Sequence, residues 1–368
     1  MMKPLFFLTA MLTLCSSPGA DLYVWQRRHS PELTAAIREF YRKSPGKLHF
    51  LAGEWENDGR RFSAAPPSSA DPARTVPVIR IHVRHLEKTP EVLAEEILAF
   101  RRPWRACRAL QIDLDAPESK LDYYAALLGI LRKKLPGVEL SATVLPCHLR
   151  RREFDALAAA CDYYVLQVHG LALYGGQWRI IDRQTALEAW GAALKLRRRF
   201  KLALPLYCAS VKDKTVTPDM ALVAELARMA AKHGGFADGV IGFRMGIPGD
   251  GGALDMETAL ALCREGRYEP ELRPEWSRTA DGAWHLTLVN RGFFPEKTML
   301  ALAWKKDFPI DDFGTFNGAS ANCDLTALTL ILPPAGGKKV CLWLRSENDP
   351  SAGDLLRITV TGKETPAP

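Results

Sequence analysis

The sequence predicts an α/β protein, a (β/α)8 TIM-like barrel followed by a C-terminal β-sandwich-like domain. Three observations predict it. Eight short apolar runs alternate with amphipathic helical stretches over about 250 residues, the length such a barrel takes. The first run leads into Gln26-Arg27-Arg28, whereas an open doubly wound sheet usually follows its first strand with a Gly-rich phosphate turn. Beyond Gly266 the helical period gives way to alternating, β-rich runs.

The barrel strands are expected at 22–26, 48–54, 78–83, 109–114, 140–145, 164–169, 202–207 and 239–244. Each is short and nearly all apolar, as a parallel strand buried on both faces requires. Helix starts are marked by Ser30-Pro31, Thr89-Pro90 and Thr217-Pro218, each an N-cap hydroxyl before a proline at the first helical position. Ser119 with Asp122, and Thr185 with Glu188, have capping-box spacing. Gly234 ends a helix whose last turn carries Lys232 and His233, cations suited to the negative end of the dipole. The stretch 59–77 is rich in Pro, Ser and Ala without a helical period, so a loop is expected in place of the second helix. In the C-terminal part, strands are expected at 284–290, 298–304, 325–332, 340–344 and 355–360, with a hairpin turn at Asp281-Gly282.

Ahead of the barrel, Lys3, the apolar run 5–14 and the small residues Ser16, Ser17, Gly19 and Ala20 form the pattern of a secretory signal. Cleavage after Gly19 or Ala20 would export the protein to the periplasm or the extracellular space. Lipid attachment at Cys15 is the alternative, although Leu14 is bulky for such a signal. No later segment reaches the roughly 20 apolar residues of a transmembrane helix. The expected organisation is a signal peptide at 1–20, the barrel at 21–268, the β domain at 269–362 and a frayed tail at 363–368.

The chain has 368 residues, 47% hydrophobic and 25% charged, which excludes collagen-like, low-complexity and disordered classes. Its net charge of +7 comes from 49 basic against 42 acidic residues. The basic runs at 101–102, 150–152 and 197–199 lie beside helical patterns and read as solvated faces, so no nucleic-acid partner is expected. No Cys/His pair has ligand spacing, so neither a structural metal nor a cofactor is expected. Most cysteines read as small buried hydrophobes, while Cys323 and Cys341 could pair in an oxidising compartment. The Gly-rich run from Pro248 to Gly252 lacks the lysine of a phosphate loop and reads as the loop after strand eight.

In such a barrel, function belongs to the carboxyl ends of the strands. Gln111, Asp113 and Asp115 share one face of strand four, and the apolar residues between them must pack against helices. Two carboxylates on an inward face are costly unless they are hydrogen-bonded or functional, and their proximity raises one pKa. Buried pairing with Arg or Lys is the structural alternative. Glu54 closes strand two and is the candidate to complete a catalytic pair with Asp113 or Asp115. Candidate substrate-binding residues at the other strand ends are Gln26, Arg80, His82, Gln111, Gln167, His169, Tyr174, Trp178, Tyr207 and Arg244. Aromatic faces and hydroxyl-binding polar groups together suit a carbohydrate polymer.

The stretches Tyr23-Val-Trp-Gln-Arg27, Gln111-Ile-Asp-Leu-Asp115, Ser141-Ala-Thr-Val-Leu-Pro146 and Val165-Leu-Gln-Val-His-Gly170 resemble the bacterial domain-of-unknown-function family 3142. That resemblance implies an exported barrel protein without an assigned activity. More remotely, Asp113-Leu-Asp115 is similar to the fourth-strand aspartates of chitinase-like glycoside hydrolases. There a glutamic acid proton donor follows two residues later; here Pro117 holds that place and Glu118 comes one residue late. Three functions remain open on the sequence. The first is glycoside hydrolase-like carboxylate acid/base chemistry on an envelope or extracellular polysaccharide. The others are a non-catalytic glycan-binding or envelope assembly protein, and a metal-dependent hydrolase using Asp113, Asp115, His82 and His169.

Overall fold

The computed structural model describes residues 19–361 apart from 213, 248–251, 294–296, 305–306, 334 and 351–354. The expected signal up to residue 18, the Cys15 lipidation site, most of the loop from Pro248 to Gly252, Phe294 and the tail at 363–368 lie outside the described residues.

Eight parallel strands form the barrel: β1 (Asp21–Val24), β2 (Leu48–Trp55), β3 (Thr75–Ile81), β4 (Ala109–Leu114), β5 (Glu139–Val144), β6 (Tyr163–Gln167), β7 (Phe200–Pro205) and β8 (Ala237–Phe243). Each pairs with the next in sequence, and β1 pairs with both β2 and β8, which closes the sheet on itself. Around it run α1 (Pro31–Lys43), α2 (Pro90–Arg101), α3 (Leu121–Lys134), α4 (Phe154–Ala159), α5 (Arg183–Leu196), α6 (Met220–His233) and α7 (Met256–Glu265). Outward strand residues such as Leu22, Phe50, Ile79, Ile112 and Leu204 join the buried faces of these helices in one apolar layer.

No helix separates β2 from β3. A short strand, Arg61–Ser63, folds back antiparallel on the end of β2, and a 3-10 turn, Pro72–Arg74, leads into β3. Ser30 and Thr89 cap α1 and α2 as their sequence signals imply. Three other start signals are displaced. Asp219 rather than Thr217 caps α6, and Asp182 caps α5, accepting from the Thr185 N–H. A carboxylate nearer the first turn outcompetes a hydroxyl for those amides. Ser119 sits inside a 3-10 turn, and α3 starts at Leu121 with no side-chain cap.

The C-terminal part forms two four-stranded antiparallel sheets over a shared leucine core that includes Leu286, Leu300, Leu328 and Leu342. Leu272–Arg278 and Trp284–Asn290 form the hairpin around Asp281-Gly282. Cys323 and Cys341, which could pair by sequence, are separate thiols rather than a disulfide. Cys341 points into the sandwich core and donates its thiol to the Leu286 carbonyl, whereas Cys323 is exposed in a turn.

Candidate active site

The register of β2 decides what the barrel mouth contains. His49 and Glu54 are an odd number of residues apart, so a regular strand would send them to opposite faces. Leu51 pairs with Val78 and Gly53 with Ile79, leaving Ala52 as an extra residue. This β-bulge restores the phase and turns Glu54 inward. Gly53 then faces α2, where a Cβ would lie 2.5 Å from the Phe100 ring.

Above the bulge, Glu54 pairs with Arg80 and Arg80 with Asp113, one level row across β2, β3 and β4. The Arg80 guanidinium lies 3.4 Å from Glu54 Oε1 through Nη1 and 3.8 Å from Asp113 Oδ2 through Nε. Arg27, just past β1, reaches Glu54 Oε2 and Glu56 Oε1 at 2.5 Å each. Its guanidinium also lies 5.5 Å from the centre of the Phe62 ring on the returning strand. Asp113 is largely buried; burial and the neighbouring Asp115 carboxylate raise its pKa to about 6 against the opposing pull of Arg80. Asp115, one residue beyond β4, is exposed and has no hydrogen bond or ion pair among the described residues. A cavity of about 400 Å³ opens here, lined by Arg27, Glu54, Glu56, Arg80, His82 and Asp115.

The opposite arc of the mouth is aromatic. Trp25 follows β1, Phe243 ends β8, and His169 and Tyr207 lie just past β6 and β7. Phe243 contacts all three, with ring centres 5.1 Å from Trp25, 5.2 Å from His169 and 5.5 Å from Tyr207. Burial lowers the His169 pKa to about 3, so the imidazole is neutral at physiological pH, and its buried Nδ1 has no hydrogen-bond partner among the described residues. The mouth thus sets carboxylates on β2 and β4 opposite rings on β1 and β6–β8.

The remaining candidates divide by what holds them. Gln111 is fully buried below Asp113, with its amide spent on His49, Tyr23 and Thr143. It is therefore not a surface for substrate, because alternation gives the face of a strand but not the depth in the barrel. Gln26 donates to the Met245 carbonyl, and Gln167 to that of His169. His82 lines the cavity while its Nδ1 accepts the Arg84 N–H. Arg244 is half-buried directly after β8. Tyr174 and Trp178 lie on a hairpin formed by Ala172–Tyr174 and Gln177–Arg179; Trp178 pairs across from Leu173, and both are exposed. Glu118 lines a separate cavity with Cys147, Arg150 and Arg151, away from the carboxylate row. No three His, Cys, Asp or Glu side chains converge to hold a metal among the described residues. Sequence reasoning missed Arg27, Trp25 and Phe243; the parity of strand one, Tyr23-Trp25-Arg27, was the available signal.

A family model described as a domain of unknown function, DUF3142, matches residues 71–233. That span holds Arg80, Asp113, Asp115 and His169, but not Glu54 or Phe243. No curated protein matches the sequence. Among solved structures, the chain is similar to the spore cortex-lytic enzyme SleL of Bacillus cereus at 13% identity and a TM-score of 0.41, covering 89% of this chain. It spans 65% of that enzyme's length. It is also similar to active domain 2 of a thermostable chitinase from Pyrococcus furiosus (13% identity, TM-score 0.44, 69% of this chain and 91% of that one). A third is a GH128 endo-beta-1,3-glucanase from Amycolatopsis mediterranei (14% identity, TM-score 0.36, 62% and 88%).

Proposed function

We propose that the protein is an exported glycoside hydrolase-like enzyme that cleaves an envelope or extracellular polysaccharide at the mouth of its barrel. One observation carries the reading: Glu54, Arg80 and Asp113 form a single row beside an open cavity, with the unpaired Asp115 at its rim. Two carboxylates on one strand face favour sharing a proton over holding two negative charges. The Asp113/Asp115 pair therefore supplies the proton that passes to the glycosidic oxygen as the bond to the anomeric carbon breaks. Glu54 is the second carboxylate, which stabilises the developing positive charge and receives the proton of the attacking water. Because one guanidinium touches both, Glu54 Oε1 and Asp113 Oδ2 are no further apart than about 9.5 Å, the upper spacing of carboxylate pairs in inverting glycosidases. The aromatic arc offers the apolar face on which a sugar ring stacks, and the neutral His169 a nitrogen for one of its hydroxyls. The N-terminal pattern of Lys3, the apolar run and small residues supports export.

A second reading, a glycan-binding protein without turnover, is favoured by the ion pairs that occupy both oxygens of Glu54. Calorimetry together with mass spectrometry on a panel of cell-wall and secreted polysaccharides separates the two. New reducing ends from a glycan that binds support the enzyme; binding with no product from any of the panel supports the binder.

A further inference from the structure

Below Asp113 a continuous polar column runs down the barrel interior. At its foot Lys201 on β7 donates to Asp21 Oδ2 on β1 at 2.5 Å, and that oxygen lies 3.5 Å from His49 Nε2 on β2. His49 Nδ1 meets Gln111 Oε1 at 2.7 Å. The Gln111 amide nitrogen donates to Tyr23 Oη at 2.6 Å and to Thr143 Oγ1 at 3.0 Å. Thr143 stands beside Asp113 on the neighbouring strand, one step beyond the Ile112–Ala142 pair, with its side chain on the same inward face. Asp21, His49, Gln111 and Thr143 are each at most 2% exposed.

Around the column the interior is filled by the apolar Val78, Val165, Ala203 and Ile241 together with Tyr163 and Ser141. Well-packed hydrophobic residues in place of a buried polar network are often neutral or stabilising, so stability alone does not call for the column. Its donor sense does suggest a use. Both Gln111 amide hydrogens go to hydroxyl oxygens, one of them that of Thr143. The Thr143 hydrogen is then left for one of the two oxygen acceptors beside it, the Tyr23 hydroxyl and the Asp113 carboxyl, of which the carboxyl is the stronger.

We propose that Thr143 and Gln111 are positioning residues for Asp113: Thr143 anchors the Asp113 carboxyl by donating its hydroxyl hydrogen, and Gln111, fixed by His49, sets the direction of that hydroxyl. This rests on the reading of Asp113 as part of the proton-donating pair. The groups that face Asp113 are Asp115 on its own chain segment, Arg80 on β3, Glu54 on β2, Tyr23 on β1 and Thr143 on β5. Of these, the hydroxyl of Thr143 can be removed without changing a charge.

The test is a carbon-13 titration of the Asp113 carboxyl in the whole protein, comparing wild type with T143V, T143S and, as a second deletion of the hydroxyl, T143A. A lost donor to the ionised form raises the midpoint, so T143V and T143A are expected to titrate about one pH unit higher, and T143S to follow wild type. A T143V or T143A midpoint equal to that of wild type overturns the proposal, as does T143S moving as far as T143V. The titration reads Asp113 whether or not any glycan is cleaved. A failed hydrolysis assay with a shifted midpoint would thus count against the enzyme and not against the column.

Discussion

Glu54 and Asp113 approach one guanidinium from the two strands that flank it, 3.4 Å and 3.8 Å from Arg80. The sharing is unequal. Glu54 has a second guanidinium, Arg27, on its other oxygen, whereas Asp113 has only the longer contact and lies next to Asp115. Burial and the neighbouring Asp115 carboxylate raise the proton affinity of Asp113, and the single longer contact to Arg80 does not offset them.

Arg80 opposes that rise, so its removal should extend it. In R80M the Asp113 midpoint is expected above its wild-type position near 6, with R80K in between because lysine keeps the charge but not the fork. Carbon-13 titration of the carboxyl measures it; an unchanged midpoint in R80M would mean that the 3.8 Å contact has no electrostatic consequence.

Asp113 should also cost stability. Its folded pKa, raised from 3.8 to about 6, means that the native state binds more protons than the unfolded chain between those values. Stability therefore falls as pH rises through that window, and the loss is complete above pH 6. D113N removes the penalty, worth on the order of 3 kcal/mol. Urea unfolding at pH 8 is expected to show D113N more stable than wild type, with the gap closing near pH 4. Equal stability at pH 8 would remove the buried acid from the account.

The foot of the column has the opposite sign. Asp21 is held well below the usual carboxylate range by Lys201 and His49, which overcome its burial. Its contribution is present above the unfolded pKa and fades only at more acid pH. D21N leaves Lys201 buried beside a neutral amide, and losses of about 3–5 kcal/mol follow from breaking one side of such a pair. Denaturant unfolding at pH 7 measures it, and a loss under 1 kcal/mol would show that water reaches Lys201.

Arg291 ties the β-sandwich to the barrel. It contacts Asp255, the cap of α7, together with Glu257 and Glu271, and is 16% exposed. R291M should loosen this junction, at a cost of about 1–3 kcal/mol for hydrogen bonds to charged groups. Calorimetry is expected to resolve two unfolding transitions in place of one. A single transition at the wild-type temperature would place the junction's strength in apolar contacts such as those of Phe293.

How far the sequence reveals this protein follows from burial. Barrel strands such as 109–114 are legible because both faces are buried, which makes an apolar run that few other structures produce. The strand Leu272–Arg278 was missed because it lies at a sheet edge and carries Arg273, Pro274 and Glu275. The hairpin around Trp178 leaves no strand signal in the sequence, its strands being three residues each. At the site, Asp113, Asp115, Glu54 and Arg80 were legible as polar residues at strand ends. Two things were not. The bulge at Ala52 depends on what β3 pairs with, and the depth of Gln111 depends on the radius of the closed barrel. Neither is a local property of the chain.

The most direct test of the central claim compares initial rates of reducing-end release by wild type, D113N and D115N on each polysaccharide of the panel that wild type binds, with binding measured alongside. The account predicts that both variants bind the glycan within a few-fold of wild type and lose about 100-fold or more in rate, the scale of general-acid catalysis. Full turnover by either D113N or D115N would contradict it.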